Sequence, residues 1–440
     1  MRQTNNQEHL RDSSNRGGAP EVVTFGCRLN IVESEALRLQ AEAAGLRDIA
    51  IVNSCAVTAE ATRQARQAIR RLKRDEPQRP VIVTGCAAQI EPARFAAMPE
   101  TDRVLGNDEK LRPESWAALA RSNSLGTHAA EPGDKLAVGD IMTRSTLRAA
   151  PTGRLVGHTR GFVQVQNGCD HRCTFCIIPF GRGNSRSLPT ADVLAQCRRL
   201  VEAGAQEIVL TGVDLTSYGR ELPGEPTLGA LAGQILRELP ELPRLRLSSI
   251  DAIEVDDALR EVIATEARLM PHLHLSLQHG DDLILKRMKR RHGRGDAVRF
   301  CGEMRALRPD LVFGADLIAG FPTEDEAMFA GSLALIEDCG LSYVHVFPYS
   351  ARPGTPAARM PQLPGSMVTE RAARLRAAAA VAQQRHLDAR MGRPLSVLTE
   401  RGNTGRAEDF TLVRFVGEVE AGRIVLATGH ASDGRALLAA

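Results

Sequence analysis

The 440-residue chain has no apolar run close to the roughly 20 residues that span a bilayer, so no membrane-spanning helix is expected. Its first residues have no apolar core of the kind a secretory signal needs. The polar stretch 1–19, with Asn, Gln, Arg and Ser, is expected to be a disordered leader. Charge excess is missing too: a formal +3 is too small to mark the chain by itself as a nucleic-acid binder. With no export signal, the nine cysteines point to a reducing cytoplasm, where thiols serve metals or chemistry and not disulfides. The most informative absence is a fourth cysteine. Six of the nine fall into two groups of three. A structural zinc site closes its tetrahedron with four ligands, whereas an iron–sulfur cluster held by three thiolates leaves one iron open for chemistry.

The compact group is Cys169-Asp170-His171-Arg172-Cys173-Thr174-Phe175-Cys176, a C-x3-C-x2-C loop. The alternative to a cluster is zinc on three thiolates with His171 as fourth ligand. His171 lies two residues from Cys169 and two from Cys173, which is cramped for the same metal. The dispersed group is Cys27, Cys55 and Cys86, each just after a short strand-like run at 21–25, 48–53 and 80–84. Helical patterns at 33–44 and 59–74 separate these runs, which predicts parallel βαβ units. Ligands of such sheets gather outside the carboxyl ends of the strands, so the three cysteines are expected to converge on one metal site. Three buried core cysteines are the alternative, but that reading leaves their shared topological position unexplained.

Residues 121–154, richer in Ser, Gly, Thr, Pro and Ala, are expected to be a linker with some local structure. Six strand patterns follow, at 162–166, 207–211, 244–249, 272–277, 312–318 and 343–348, separated by helical stretches. They predict a partial (β/α)6 barrel with its active face at the carboxyl ends of the strands. An Ala/Arg-rich helix is expected over 368–389. Short strands at 395–399, 410–415 and 423–427 predict a small all-β barrel or sandwich. The fold class is thus α/β, with an N-terminal parallel βαβ sheet, a central partial barrel and a C-terminal all-β domain.

A C-x3-C-x2-C loop can ligate three irons of a 4Fe-4S cluster, leaving the fourth to chelate S-adenosylmethionine; the cofactor then carries the radical chemistry. Phe175 could pack on the adenine or simply fill the loop. Gly212 and Asp214 end the second strand, and Asp316 lies in the stretch that ends the fifth; they are candidate cofactor contacts, although a Gly after a strand is often only a turn. No residue is singled out as a catalytic acid or base.

These motifs resemble the radical S-adenosylmethionine methylthiotransferase family. The resemblance rests on Gly26-Cys27-Arg28-Leu29-Asn30, Asn53-Ser54-Cys55-Ala56-Val57-Thr58, Thr84-Gly85-Cys86-Ala87-Ala88-Gln89 and the stretch 166–187, and it covers nearly everything from Glu21 onward. It implies a methylthiotransferase domain at 20–125, a linker at 126–154, a radical core at 155–385 and a TRAM-like RNA-binding domain at 386–440. It implies two 4Fe-4S clusters, an auxiliary one on Cys27, Cys55 and Cys86 and a radical one on Cys169, Cys173 and Cys176. S-adenosylmethionine would be used twice, once to methylate sulfur and once to make the radical that attacks a C–H bond. An electron donor such as a flavodoxin or ferredoxin is implied as partner. Thr211-Gly212-Val213-Asp214-Leu215-Thr216-Ser217-Tyr218-Gly219 and Lys286-Arg287-Met288-Lys289-Arg290-Arg291-His292 look most like the branch acting on N6-threonylcarbamoyladenosine in tRNA. Isopentenyladenosine in tRNA and a ribosomal-protein aspartate are the alternatives within the family. A non-catalytic metal-bearing RNA-binding protein is the alternative outside it. Ala87 stands where an aromatic residue is common in the family, but removes no ligand.

The run 286–294 has six Lys/Arg and no acid, and is expected to be either a phosphate-contacting patch or a solvated helix face. Residues 366–393 carry six Arg against two acids, and 394–440 five Arg against six, so the tail is no electrostatic grip. Shape and stacking could matter more there, though Phe410 and Phe415 are its only Phe, Tyr or Trp residues and can equally be core. Cys197, Cys301 and Cys339, with no cysteine near them in sequence, are expected to be structural.

Overall fold

Buried β-branched runs build the first sheet. In the computed structural model, which describes residues 18–121, 133–149 and 159–439, the chain divides into two units. The first takes in Met1–Thr152, Asn167–Arg172 and Cys176–Arg186. Its sheet joins β1 (Glu21–Thr24), β2 (Ala50–Ser54), β3 (Val81–Gly85), β4 (Arg103–Leu105) and β5 (Leu136–Ala137) in that order, all parallel. β2 and β3 are buried along their whole length, as a sheet covered on both faces requires. Two crossover helices, α1 (Arg28–Ala43) and α2 (Ala59–Asp75), supply part of the cover. Thr58 caps α2 by accepting the Ala61 N–H, and Ala61, Ala65, Ile69 and Leu72 turn one face to the core.

One expectation needs correction here. α1 begins five residues earlier than its predicted start, because the Asn30 amide donates to the carbonyls of Phe25 and Ser54 and ties the first turn to the sheet. The stretch expected as a linker with some local structure contains β5, which pairs with β4; a two-residue strand leaves no periodicity to read. The leader expected over 1–19 lies outside the described residues except for 18 and 19.

The second unit contains Gly153–Gln166, Cys173–Phe175 and Ser187–Ala440. Its six parallel strands are β6 (Gly161–Gln164), β7 (Glu207–Thr211), β8 (Arg244–Leu247), β9 (His272–Gln278), β10 (Val312–Ala319) and β11 (Leu341–Pro348). They form two three-stranded sheets, β8-β7-β6 and β9-β10-β11. Among the described residues, isolated bridges at Leu245↔Leu269, just before β9, and Ile250↔Leu275, just after β8, stand in for regular pairing between them, so the partial barrel has an irregular joint where one continuous sheet was expected. Leu273, Leu275 and Leu277 of β9 face the core, which by the two-residue period puts His272, His274 and Ser276 on the lumen side.

The long helix α3 (Gly365–Arg390) leads into a closed five-stranded barrel. Its strands are β12 (Pro394–Glu400), β13 (Thr404–Ala407), β14 (Leu412–Phe415), β15 (Ile424–Ser432) and β16 (Leu437–Ala439). Phe410 from this TRAM-like barrel stacks on His272 at 4.9 Å between ring centroids, and the guanidinium groups of Arg160, Arg246 and Arg406 lie within 5.7 Å of its ring centroid. No helix among the described residues is long and apolar enough to cross a membrane.

Candidate metal centres and barrel lumen

At the carboxyl ends of β1, β2 and β3 the structure brings together Cys27, which is exposed, and Cys55 and Cys86, which are buried. Gly26 and Gly181 make room for them. A Cβ at Gly26 would stand 3.0 Å from the Cys55 Sγ, and one at Gly181 would stand 3.2 Å from the Cys86 Cβ. Burial, followed by the neighbouring thiols of Cys86 and Cys27, pushes the Cys55 thiol up to about 12. A buried thiol whose ionisation is opposed by two neighbouring sulfurs belongs to a donor set suited to a cation, which would draw its proton off. The triad therefore fits an iron–sulfur cluster with one open iron.

A charged group lies buried beside this triad. Arg182 donates to the Glu33 carboxylate and to the Asn30 Oδ1, and Lys110 donates to Glu33 at 2.7 Å. All three charged side chains are at most 2% exposed. Burial alone would raise the Glu33 carboxyl, but Arg182 and Lys110 overcome it and hold Glu33 at about 2. Burial also opposes the charge on Arg182, yet Cys86 and Glu33 keep it well above its ordinary range. Burial pulls the Lys110 ammonium below its ordinary range, with Glu33 opposing, so the charge on Arg182 is the firm positive pole beside three potential thiolates, a polarity that favours an anionic cluster.

In the compact cysteine loop, Cys173 is buried, and Cys169 and Cys176 are partly exposed. Arg290 donates to the Cys173 Sγ at 3.7 Å, to the Asp251 carboxylate at 2.5 Å and to the Ser276 carbonyl. Thr174 is fixed by the carbonyls of Met288 and Arg287. Phe175 packs against a group that includes Ile284, Met288, Phe321 and Ala357. The run 286–294, expected as either a phosphate-contacting patch or a solvated helix face, is neither at Arg290. Its side chain is 7% exposed and already committed, while Arg287, Arg291 and Arg294 are paired with Thr323, Glu254 and Asp338. Lys286 and Lys289 are exposed, and no ion pair among the described residues includes either of them. They line an open concavity of about 600 Å³ with Arg290, Arg291 and His292.

At the carboxyl end of β7, Gln166 organises the turn holding Gly212 and Asp214. Its Oε1 accepts the N–H groups of Val213 and Asp214. A Cβ on Gly212 would stand 2.9 Å from that oxygen, so the glycine is needed for this approach. Asp316, on β10, sits apart from that turn in a set of its own. Its Oδ1 meets the Nε2 of His274 (β9) at 2.8 Å and the Nδ1 of His345 (β11) at 3.2 Å. Burial would raise its carboxyl, but the two imidazoles hold it well below the usual carboxylate range. Neither histidine was anticipated from sequence, since the three residues are brought together only by adjacent strands. Cys197 is buried, as expected of a structural residue, and so are Cys301 and Cys339, whose thiols neighbour one another.

Comparison with known proteins fits this architecture. A family model described as the Radical SAM superfamily matches residues 163–336, and one described as Uncharacterized protein family UPF0004 matches residues 20–106. The chain is 48% identical to the Threonylcarbamoyladenosine tRNA methylthiotransferase MtaB of Rickettsia prowazekii, over 90% of each chain. It is 34% identical to the tRNA-2-methylthio-N(6)-dimethylallyladenosine synthase of Cereibacter sphaeroides, over 86% of this chain and 87% of the relative. Among solved structures, the radical S-adenosylmethionine methyltransferase TsrM of Kitasatospora setae shares the fold, with TM-score 0.50 and 16% identity over 75% of this chain and 68% of that one. By sequence and by architecture, the chain belongs to the methylthiotransferases of the Radical SAM superfamily.

Proposed function

We propose that this protein inserts a methylthio group at C2 of N6-threonylcarbamoyladenosine beside the anticodon of tRNA. The observation that carries the reading is the presence of two separate three-cysteine sets, each without a fourth cysteine. One cluster would account for one set only. When bound, a cluster on Cys169, Cys173 and Cys176 would supply the electron that cleaves S-adenosylmethionine, and one on Cys27, Cys55 and Cys86 would carry the sulfur to be delivered. The chain's own residues hold and shield these centres. Arg290 fixes Cys173 from the β9 side, and the Arg182, Lys110 and Glu33 group sets the charge around the strand-end cysteines. Gln166 shapes the turn at Gly212, and Phe175 fills its place in the apolar group around Phe321.

The choice of substrate is supported by the 48% identity to a relative named for threonylcarbamoyladenosine, against 34% to one named for the dimethylallyl base. tRNA would be gripped by Lys286 and Lys289 and by the Arg-rich α3, and the electron would come from a small donor such as a flavodoxin or ferredoxin. Mass spectrometry of tRNA nucleosides from cells lacking the protein tests the reading. Loss of the methylthio form of threonylcarbamoyladenosine is expected; loss of the methylthio form of the isopentenyl base would move the enzyme to the other branch. A reconstituted chain holding about eight irons separates a catalyst from a zinc-bearing RNA binder.

A further inference from the structure

The lumen side of the β9-β10-β11 sheet is polar, and its polar atoms are aimed by a shared carboxylate. Asp316 Oδ1 lies between the His274 Nε2 and the His345 Nδ1, and the two imidazole centroids are 4.8 Å apart. With each ring donating one N–H to the carboxylate, the tautomers are fixed and each ring keeps one nitrogen free. The remaining nitrogen of His274 faces Gly314, where a Cβ would stand only 2.8 Å from Nδ1, so it is shielded by the sheet. The remaining nitrogen of His345 belongs to a side chain that is 64% exposed. In the same unit, Gln164 at the carboxyl end of β6 is 1% exposed, yet neither of its amide atoms has a hydrogen-bond partner among the described residues. Buried amides are rarely left so, and an unsatisfied one favours a ligand with donors and acceptors of its own.

We propose that His274, Asp316 and His345 form the wall that reads the N6 side chain of the substrate base, with His345 as the specificity-determining residue. The inference rests on the function proposed above. A threonylcarbamoyl group brings a ureido linkage, a hydroxyl and a carboxylate, all able to bond to imidazole; a dimethylallyl group brings only carbon. A site built to hydrogen-bond a polar substituent rejects an analogue lacking it far more strongly than an apolar pocket rejects a neighbour of similar size, because its own polar groups are left unpaired. His274 and Asp316 act as positioning residues, holding the His345 ring in one orientation.

The test uses the reconstituted holoenzyme and three anticodon stem-loops differing only at the target base: threonylcarbamoyladenosine, dimethylallyladenosine and plain adenosine. Affinity is read by fluorescence anisotropy and product by mass spectrometry. Wild type is expected to prefer the threonylcarbamoyl loop. His345→Phe should lower that preference about tenfold or more, as expected when a hydrogen bond to a charged or strongly polar group is removed. His345→Gln, which can still hydrogen-bond, should restore part of it, and both variants should bind the plain adenosine loop as wild type does. Iron content and melting temperature confirm that the variants fold. An unchanged preference in His345→Phe overturns the proposal. So does one equivalent of zinc or iron beyond the clusters that is absent from His345→Phe, since the trio would then be a metal site. Wild-type enzyme that makes no product on the threonylcarbamoyl loop defeats instead the functional reading beneath it, an outcome seen without any variant.

Discussion

Arg182 and Glu33, 149 residues apart along the chain, form a bidentate ion pair inside the first unit, with N–O distances of 2.6 and 3.0 Å. Arg182 lies six residues after Cys176, and Glu33 six residues after Cys27, so a segment leaving one cysteine group is locked to a helix starting at the other. Replacing Arg182 with Met would leave a buried carboxylate short of one partner. A loss of about 3–5 kcal/mol is expected from breaking such a pair, measurable by chemical denaturation.

The same pair sets an acid limit. Because the Glu33 carboxyl is held at about 2, below its ordinary 4.5, its contribution is complete above about pH 4.5 and is lost as the pH falls toward 2. Acid unfolding followed by circular dichroism should therefore steepen over that window. Glu33→Gln should be less stable at neutral pH and show a shallower acid limb; an identical pH profile would detach Glu33 from this behaviour.

Single cysteine substitutions should separate the two centres. Cys55→Ala is expected to lower iron from about eight to about four per chain, abolish methylthio transfer and leave uncoupled cleavage of S-adenosylmethionine. Cys173→Ala should remove cleavage and leave the other cluster visible by electron paramagnetic resonance. Iron assay and detection of 5′-deoxyadenosine decide both.

The arginines and lysines of 286–294 should behave as two classes. Arg290→Ala removes a buried guanidinium that holds Asp251, the Ser276 carbonyl and Cys173, so loss of stability and of cluster retention is expected. Lys286 and Lys289 replaced together should leave iron content alone and weaken tRNA binding, flattening the log–log salt slope by up to about one unit for each phosphate no longer neutralised. Titrations at two ionic strengths show whether the slope moves.

The parts legible in sequence were those with local cause. β2 and β3 are apolar runs buried on both faces, and α2 carries its cap at Thr58 and its apolar spacing within 17 residues. The α1 start was hidden because the anchor that makes Arg28–Val32 helical is the Asn30 hydrogen bond to a carbonyl 24 residues away. Arg290 looked like one cation among six, since burial against Asp251 cannot be seen in a run of charge. His345 was invisible for the opposite reason. A lone histidine in a β-branched strand gains meaning only when strand pairing sets Asp316 opposite it.

Phe410 brings the C-terminal barrel against the amino ends of the lumen strands, where its ring meets His272, the first residue of β9, and Arg246 of β8. Arg246 also bonds to Glu207 at the start of β7 and to the carbonyls of Ala407 and Glu408. Such a floor ties the amino ends of β7, β8 and β9 to the C-terminal barrel through one ring and one guanidinium, so the two parts of the second unit are expected to lose their structure together on heating.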